Sequence, residues 1–99
     1  MLHIVNKSHT ERNALSTCLR LAQDGHSLLL IEDGIYAATA AAAQASGIAA
    51  ATGRLAVYAL QGDVAARGMS GKLVEGVTLI DYAGFVDLVA ELPNNQSWL

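Results

Sequence analysis

Cysteine, proline, aromatic residues and charge are all scarce in this 99-residue chain. A single cysteine, Cys18, cannot close an internal disulfide, so a disulfide-stapled scaffold is excluded and the usage suits a reducing compartment. Six Lys/Arg stand against nine Asp/Glu, for a net charge of −3. The basic residues Lys7, Arg12, Arg20, Arg54, Arg67 and Lys72 are scattered, with no two adjacent. A stripe able to hold a polyphosphate backbone is missing, and direct nucleic-acid binding is not expected. There is no long apolar run behind a basic start, so no secretory leader is expected and the expected location is the cytoplasm. The longest uncharged stretch, 34–53, is rich in Ala and broken by Gln44, Ser46 and Gly47. It reads as a packed helix, not a membrane span.

Binding motifs are equally sparse. No Gly-x-Gly-x-x-Gly follows a strand, which removes the dinucleotide fingerprint. Gly68-Met69-Ser70-Gly71-Lys72 resembles the end of a phosphate loop but fails at both sides: Ala66 stands where the first Gly belongs, and Leu73 where Ser or Thr would hold Mg²⁺. His3, His9 and His26 lack paired ligand spacing, so no metal is expected and each reads as a surface or loop residue. No cofactor is expected.

What the chain does have is apolar content, 53% of its residues. That excludes intrinsic disorder and suggests more apolar surface than one small domain hides alone. Residues 2–5 read as a short buried strand. Over 10–24, apolar Ala14, Leu15, Cys18, Leu19 and Ala22 fall at helical spacing, with Glu11 near the start and Gly25 as the stop. Residues 27–32 are apolar on both alternating faces, as a strand covered above and below requires. Asp33 is then read as the cap of one helix running through the Ala-rich stretch 37–51, with Gly47 its weak point. A third strand follows at 54–60, a small helical turn at 61–67 with Asp63 as cap, and a loop marked by Gly68, Gly71 and Gly76. Residues 77–80 give a fourth strand. Asp81 caps a last helix over 82–91, with Phe85, Leu88, Val89 and Leu92 on one face and Pro93 ending it. A short edge strand is placed at 97–99.

Strands alternating with helices imply βαβ units. The expected fold is a single α/β domain over residues 1–99, Rossmann-like and three-layered, with a mostly parallel sheet of four to five strands flanked by helices. Ligands in such folds sit at the carboxyl ends of strands, near Asp33 and Tyr36 here. The Glu32-Asp33 pair there offers either acid–base chemistry or a helix cap, and the cap is favoured. Cys18 is the one residue with intrinsic nucleophilic chemistry. Its spacing puts it mid-helix on or near the apolar face, which favours a buried thiol. Arg12 or Arg20 would have to supply any charge beside it.

In order, the pieces resemble the DsrH/TusB family of sulfur-relay subunits. The residues that carry the resemblance are Leu2-His3-Ile4-Val5-Asn6-Lys7-Ser8, then Leu28-Leu29-Leu30-Ile31-Glu32-Asp33-Gly34-Ile35-Tyr36, then Val57-Tyr58-Ala59-Leu60 and Ala66-Arg67-Gly68. Leu79-Ile80-Asp81-Tyr82-Ala83-Gly84-Phe85-Val86-Asp87-Leu88 and the terminal Gln96-Ser97-Trp98-Leu99 complete the set. The resemblance implies a DsrE-like fold and a heterohexamer with homologous DsrE/TusD-like and DsrF/TusC-like subunits. Such complexes pass persulfide sulfur between donor and acceptor proteins, with the main persulfide cysteine on the DsrE/TusD partner. A cysteine in the first helix, as at Ser16-Thr17-Cys18-Leu19, resembles the sulfur-oxidation branch and makes Cys18 a candidate persulfide carrier. The alternatives are 2-thiolation of the tRNA wobble uridine, and a purely structural subunit accessory to a catalytic partner.

Overall fold

Apolar runs bounded by polar turns become the strands β1 (Leu2–Val5), β2 (Ser27–Leu30), β3 (Ala56–Leu60) and β4 (Val77–Ile80) in the computed structural model, which describes residues 1–11, 13–92 and 94–98. A fifth strand, β5 (Asn95–Trp98), starts earlier than the 97–99 expected. Leu99, Arg12 and the helix-ending Pro93 lie outside the described residues. All pairings are parallel, in the order β4-β3-β2-β1-β5. Val5 lies beside Leu30, Leu30 beside Ala59, and Val5 on its other side beside Trp98. This is the expected α/β architecture, a five-stranded parallel sheet flanked by helices.

From β1 to β4 each strand is laid down on the same side of the last, and only the return to β5 reverses direction. With right-handed crossovers, the connections between β1 and β4 therefore cover one face of the sheet, and the helix before β5 covers the other. Alternation puts His3, Val5, Leu28, Leu30, Val57 and Ala59 on the first face. There Val5, Leu28, Leu30, Val57 and Ala59 join Leu15, Cys18, Ile35, Ile48 and Val64 in one buried cluster.

The first helix, α1, spans only Ala14–Leu21 and not 10–24. The chain before it is held in turns: the Ser8 hydroxyl accepts from the Thr10 N–H at 3.3 Å, and Glu11 N–H donates to the Ser8 carbonyl at 3.1 Å. Such local bonds compete with helix, so Glu11 stays outside it. Gly25, at φ 88°, belongs to the turn into β2, while the helix already ends at the extended Ala22.

The Ala-rich stretch departs furthest from expectation. Glu32–Ala38 form a 3-10 helix, followed by two short helices, α2 (Ala43–Ser46) and α3 (Ile48–Ala51). Two causes are visible. Thr39 is extended and bridges Leu73, with Ala40 N–H donating to the Lys72 carbonyl and Val74 N–H to the Ala38 carbonyl, both at 2.8 Å. Gly47, at φ 91°, then breaks the run, as its composition suggested. Tertiary pairing outweighs the high helix propensity of Ala. Asp33 is consequently no cap: Ile31 holds that position, without a side-chain bond.

The next helix, α4 (Gln61–Ala66), carries Asp63 in its first turn, with Leu60 at the cap position. The last, α5 (Tyr82–Glu91), is capped as expected, Asp81 Oδ1 accepting from Gly84 N–H at 2.8 Å. Phe85, Leu88, Val89 and Leu92 are half-buried, and α5 contributes no fully buried residue. Among the described residues, no helix is long and apolar enough to cross a membrane.

Candidate functional site

Cys18 sits on the inward face of α1 and is fully buried. Burial pushes its thiol up to about 11, against a smaller opposing pull from the Arg54 guanidinium. At neutral pH the sulfur therefore holds its proton, and the attacking species, the thiolate, is scarce. The nearby charge is Arg54, not Arg20, which is exposed; Arg12 lies outside the described residues. Arg54 closes the carboxyl end of α1, donating to the Ala22 carbonyl at 2.8 Å and to the Leu19 carbonyl, and it pairs with Asp24 at 3.4 Å. Its role depends on a contact made more than thirty positions away, so no local pattern marks it.

A second polar group forms at the opposite, carboxyl end of the strands. As the chain leaves β2, Glu32 adopts φ 50°, an uncommon conformation for a residue with a side chain. Asp63 holds it there: its Oδ2 accepts from the Glu32 N–H at 2.6 Å. Gly34 comes next, and only glycine fits, since a Cβ would stand 2.4 Å from the Val5 carbonyl oxygen. Asp33 receives a bond from Arg67 Nε at 2.9 Å, while Arg67 Nη1 lies 3.8 Å from the Asp63 carboxylate. The hydrogen bond from Arg67 to Asp33 raises the guanidinium pKa further.

The Glu32-Asp33 pair is thus divided. Asp33 is committed to Arg67, and the backbone of Glu32 to Asp63, an arrangement that organises a loop and leaves no coupled carboxylates for acid–base work. The i,i+4 spacing of Asp63 and Arg67 was a readable signal for this network. Beside it opens a groove of about 520 Å³, lined by Tyr36, Thr39, Ala40, Ala41, Met69 and Lys72. Its wall is mostly apolar with one cation, suited to binding more than to chemistry. The structure does not bring Cys18 to this end: α1 runs back toward the start of β2, and Cys18 lies over the amino half of the sheet beside Arg54.

Of the histidines, His3 departs from expectation, whereas His9 and His26 lie in loops as expected. His3 is buried in β1, only 3% exposed, and its Nε2 lies 2.9 Å from His26 Nδ1. His9 is half-buried near Asn6, past the end of β1; His9 Nδ1 and Asn6 Oδ1 are buried without hydrogen-bond partners among the described residues. Among those residues no three His, Cys, Asp or Glu side chains converge as a metal site would require.

A family model described as DsrH like protein matches residues 7–95. The chain belongs to the DsrH/TusB family. It is 37% identical to TusB of Escherichia coli (strain K12) over 100 residues, covering 99% of this chain and all of that protein. It is also 36% identical to TusB of Serratia proteamaculans (strain 568) over 98 residues, covering 99% of this chain and 100% of that one. A protein of unknown function from Methanobacterium thermoautotrophicum shares the fold, with a TM-score of 0.73 at 16% identity, over 97% of this chain and 95% of that chain. Membership in the DsrH/TusB family implies a sulfur-relay subunit.

Proposed function

We propose that this chain is an accessory subunit of a sulfur-relay complex, assembled with homologous DsrE/TusD-like and DsrF/TusC-like subunits in the cytoplasm. The observation that carries this is likeness to TusB over the whole length of both chains. The relay's end point, on this reading, is 2-thiolation of the tRNA wobble uridine, the branch to which TusB belongs. The main persulfide is carried by the DsrE/TusD-like partner. The scattered basic residues agree with tRNA being handled by other surfaces.

The burial and raised pKa of Cys18 support the accessory role. A second reading gives Cys18 its own step, in the sulfur-oxidation branch, and the facing Arg54 favours it by pulling the thiol toward ionisation. The Cys18 thiolate would bond to the outer sulfur of a donor persulfide, the donor's S–S bond would break, and the donor would leave as its thiolate. That step requires α1 to open.

The test is deletion of the gene in its own host, with mass spectrometry of digested tRNA. The tRNA reading expects 2-thiouridine to disappear and to return with either the natural chain or Cys18→Ala. Retained 2-thiouridine after deletion contradicts that branch. Failure of Cys18→Ala alone to restore it, with the variant protein folded and present, contradicts the accessory role.

A further inference from the structure

His3, His26 and Trp98 lie on β1, on the turn before β2 and on β5, yet their side chains form one line of hydrogen bonds. Trp98 Nε1 stands 3.1 Å from His3 Nδ1, and His3 Nε2 stands 2.9 Å from His26 Nδ1. The Gln23 backbone N–H donates to the same His26 nitrogen at 3.3 Å. An indole N–H and a backbone N–H can only donate. His3 Nδ1 must therefore accept, which puts the ring proton of the neutral imidazole on Nε2. That proton points at His26 Nδ1, which must in turn be bare, as the Gln23 N–H also requires. Two donors that cannot be reversed thus fix both tautomers. The line holds only while both rings are neutral: a proton on His3 Nδ1 would face the indole N–H, and one on His26 Nδ1 would face two N–H groups.

The line matters most for β5. That strand forms an edge of the sheet, with exposed Asn95, Gln96 and Ser97, and Trp98 is its one half-buried described residue packed on the core. Trp98 is therefore the main side-chain anchor of β5, and its one polar atom is spent on His3.

We propose that Trp98, His3 and His26 form a pH-sensitive clamp that holds β5 against β1 while both imidazoles are neutral and releases it on acidification. Among the described residues, the charged groups around the clamp do not counter this. The amino terminus at the start of β1 is cationic and opposes an imidazolium at His3. Asp24, on the turn before β2, is paired with Arg54. Arg20 on α1 is exposed, Cys18 on α1 is uncharged, and β5 carries no ionisable side chain. Burial, His26 and the amino terminus all hold the His3 pKa below its ordinary 6.5. The unfolded chain then binds more protons than the folded one as pH falls through 6.5, so the clamp's contribution is present above that pH and lost below it. The inference is independent of the sulfur-relay reading.

The test is NMR on the full chain, whose single Trp makes the indole N–H resonance unambiguous. Long-range ¹H–¹⁵N spectra at pH 8 should show His3 and His26 with protonated Nε2. Between pH 8 and 5 the indole resonance should shift with the titration of His3. Amide exchange in β1 and β5, corrected for its intrinsic pH dependence, should then accelerate by up to about tenfold per unit as pH falls from 6.5 to the folded His3 midpoint, and level off below it. Trp98→Phe, which keeps a ring and removes the donor, should shrink that step in β5. A proton on His3 Nδ1 at pH 8, or corrected exchange flat down to pH 5, would overturn the clamp. The first of these is read on the natural chain, so it decides even if the variant does not fold.

Discussion

The two faces of the sheet draw on the same four apolar strands and are finished differently. Under α1, the 3-10 segment and α4, Val5, Leu28, Leu30 and Ile35 are fully buried in one cluster with Cys18. On the α5 side Leu2 and Leu29 are covered, yet the helix that covers them buries no residue completely, and Tyr82 and Val86 stay 71% and 50% exposed. A helix bundle's worth of connections packs one face, whereas a single return helix serves the other. The lesson bears on chemistry: the chain's only thiol is on the dense face, where a core environment holds it protonated.

Truncation on the dense face should have the largest effect. Leu30→Ala removes a fully buried side chain at the sheet centre and is expected to cost about 3–4 kcal/mol in denaturant unfolding. A cost near zero would mean that this face is not the core.

The pH dependence of Cys18 sharpens the same contrast. Its folded pKa, about 11, lies above the ordinary 9.0. Between those values the unfolded chain loses its thiol proton first, so stability falls as pH rises. The full loss is roughly 2–3 kcal/mol by linkage, reached above the folded pKa. Comparing natural chain and Cys18→Ala in urea from pH 8 upward isolates it. Equal pH slopes would show the thiol to be solvated.

At the carboxyl end, Arg67→Ala frees Asp33 and Asp63 from a partly exposed pair and should cost about 1 kcal/mol or less. The loss should shrink in high salt. Smallest of all, Val86→Ala on α5 should change stability by less than about 0.5 kcal/mol. A loss approaching that of Leu30→Ala would erase the difference between the faces.

Much of this was legible from local pattern. The apolar runs at 2–5 and 77–80 gave their strands directly, and Asp81 three residues before Gly84 gave a cap that forms. The Ala-rich stretch does not form the single helix its propensity predicts, because propensity speaks for each residue alone, while the pairing of Thr39 with Leu73 is set by the tertiary fold. At the candidate site, the inward position of Cys18 followed from helical spacing. Arg54 beneath α1 and Trp98 upon His3 did not, since each contact joins residues far apart in sequence and needs the sheet order to bring them together. Asp33 looked like a cap because carboxylates often cap helices; its actual partner, Arg67, became visible only with the loop folded back.

The most direct test of the account is a native mass spectrum of the full chain co-expressed with the TusC-like and TusD-like proteins of its own genome, isolated without reductant. The expected result is a heteromer that dissociates to give this chain unmodified and an added sulfur on the TusD-like partner. A chain that stays alone, or one that leaves the complex carrying the added sulfur on Cys18, would contradict it.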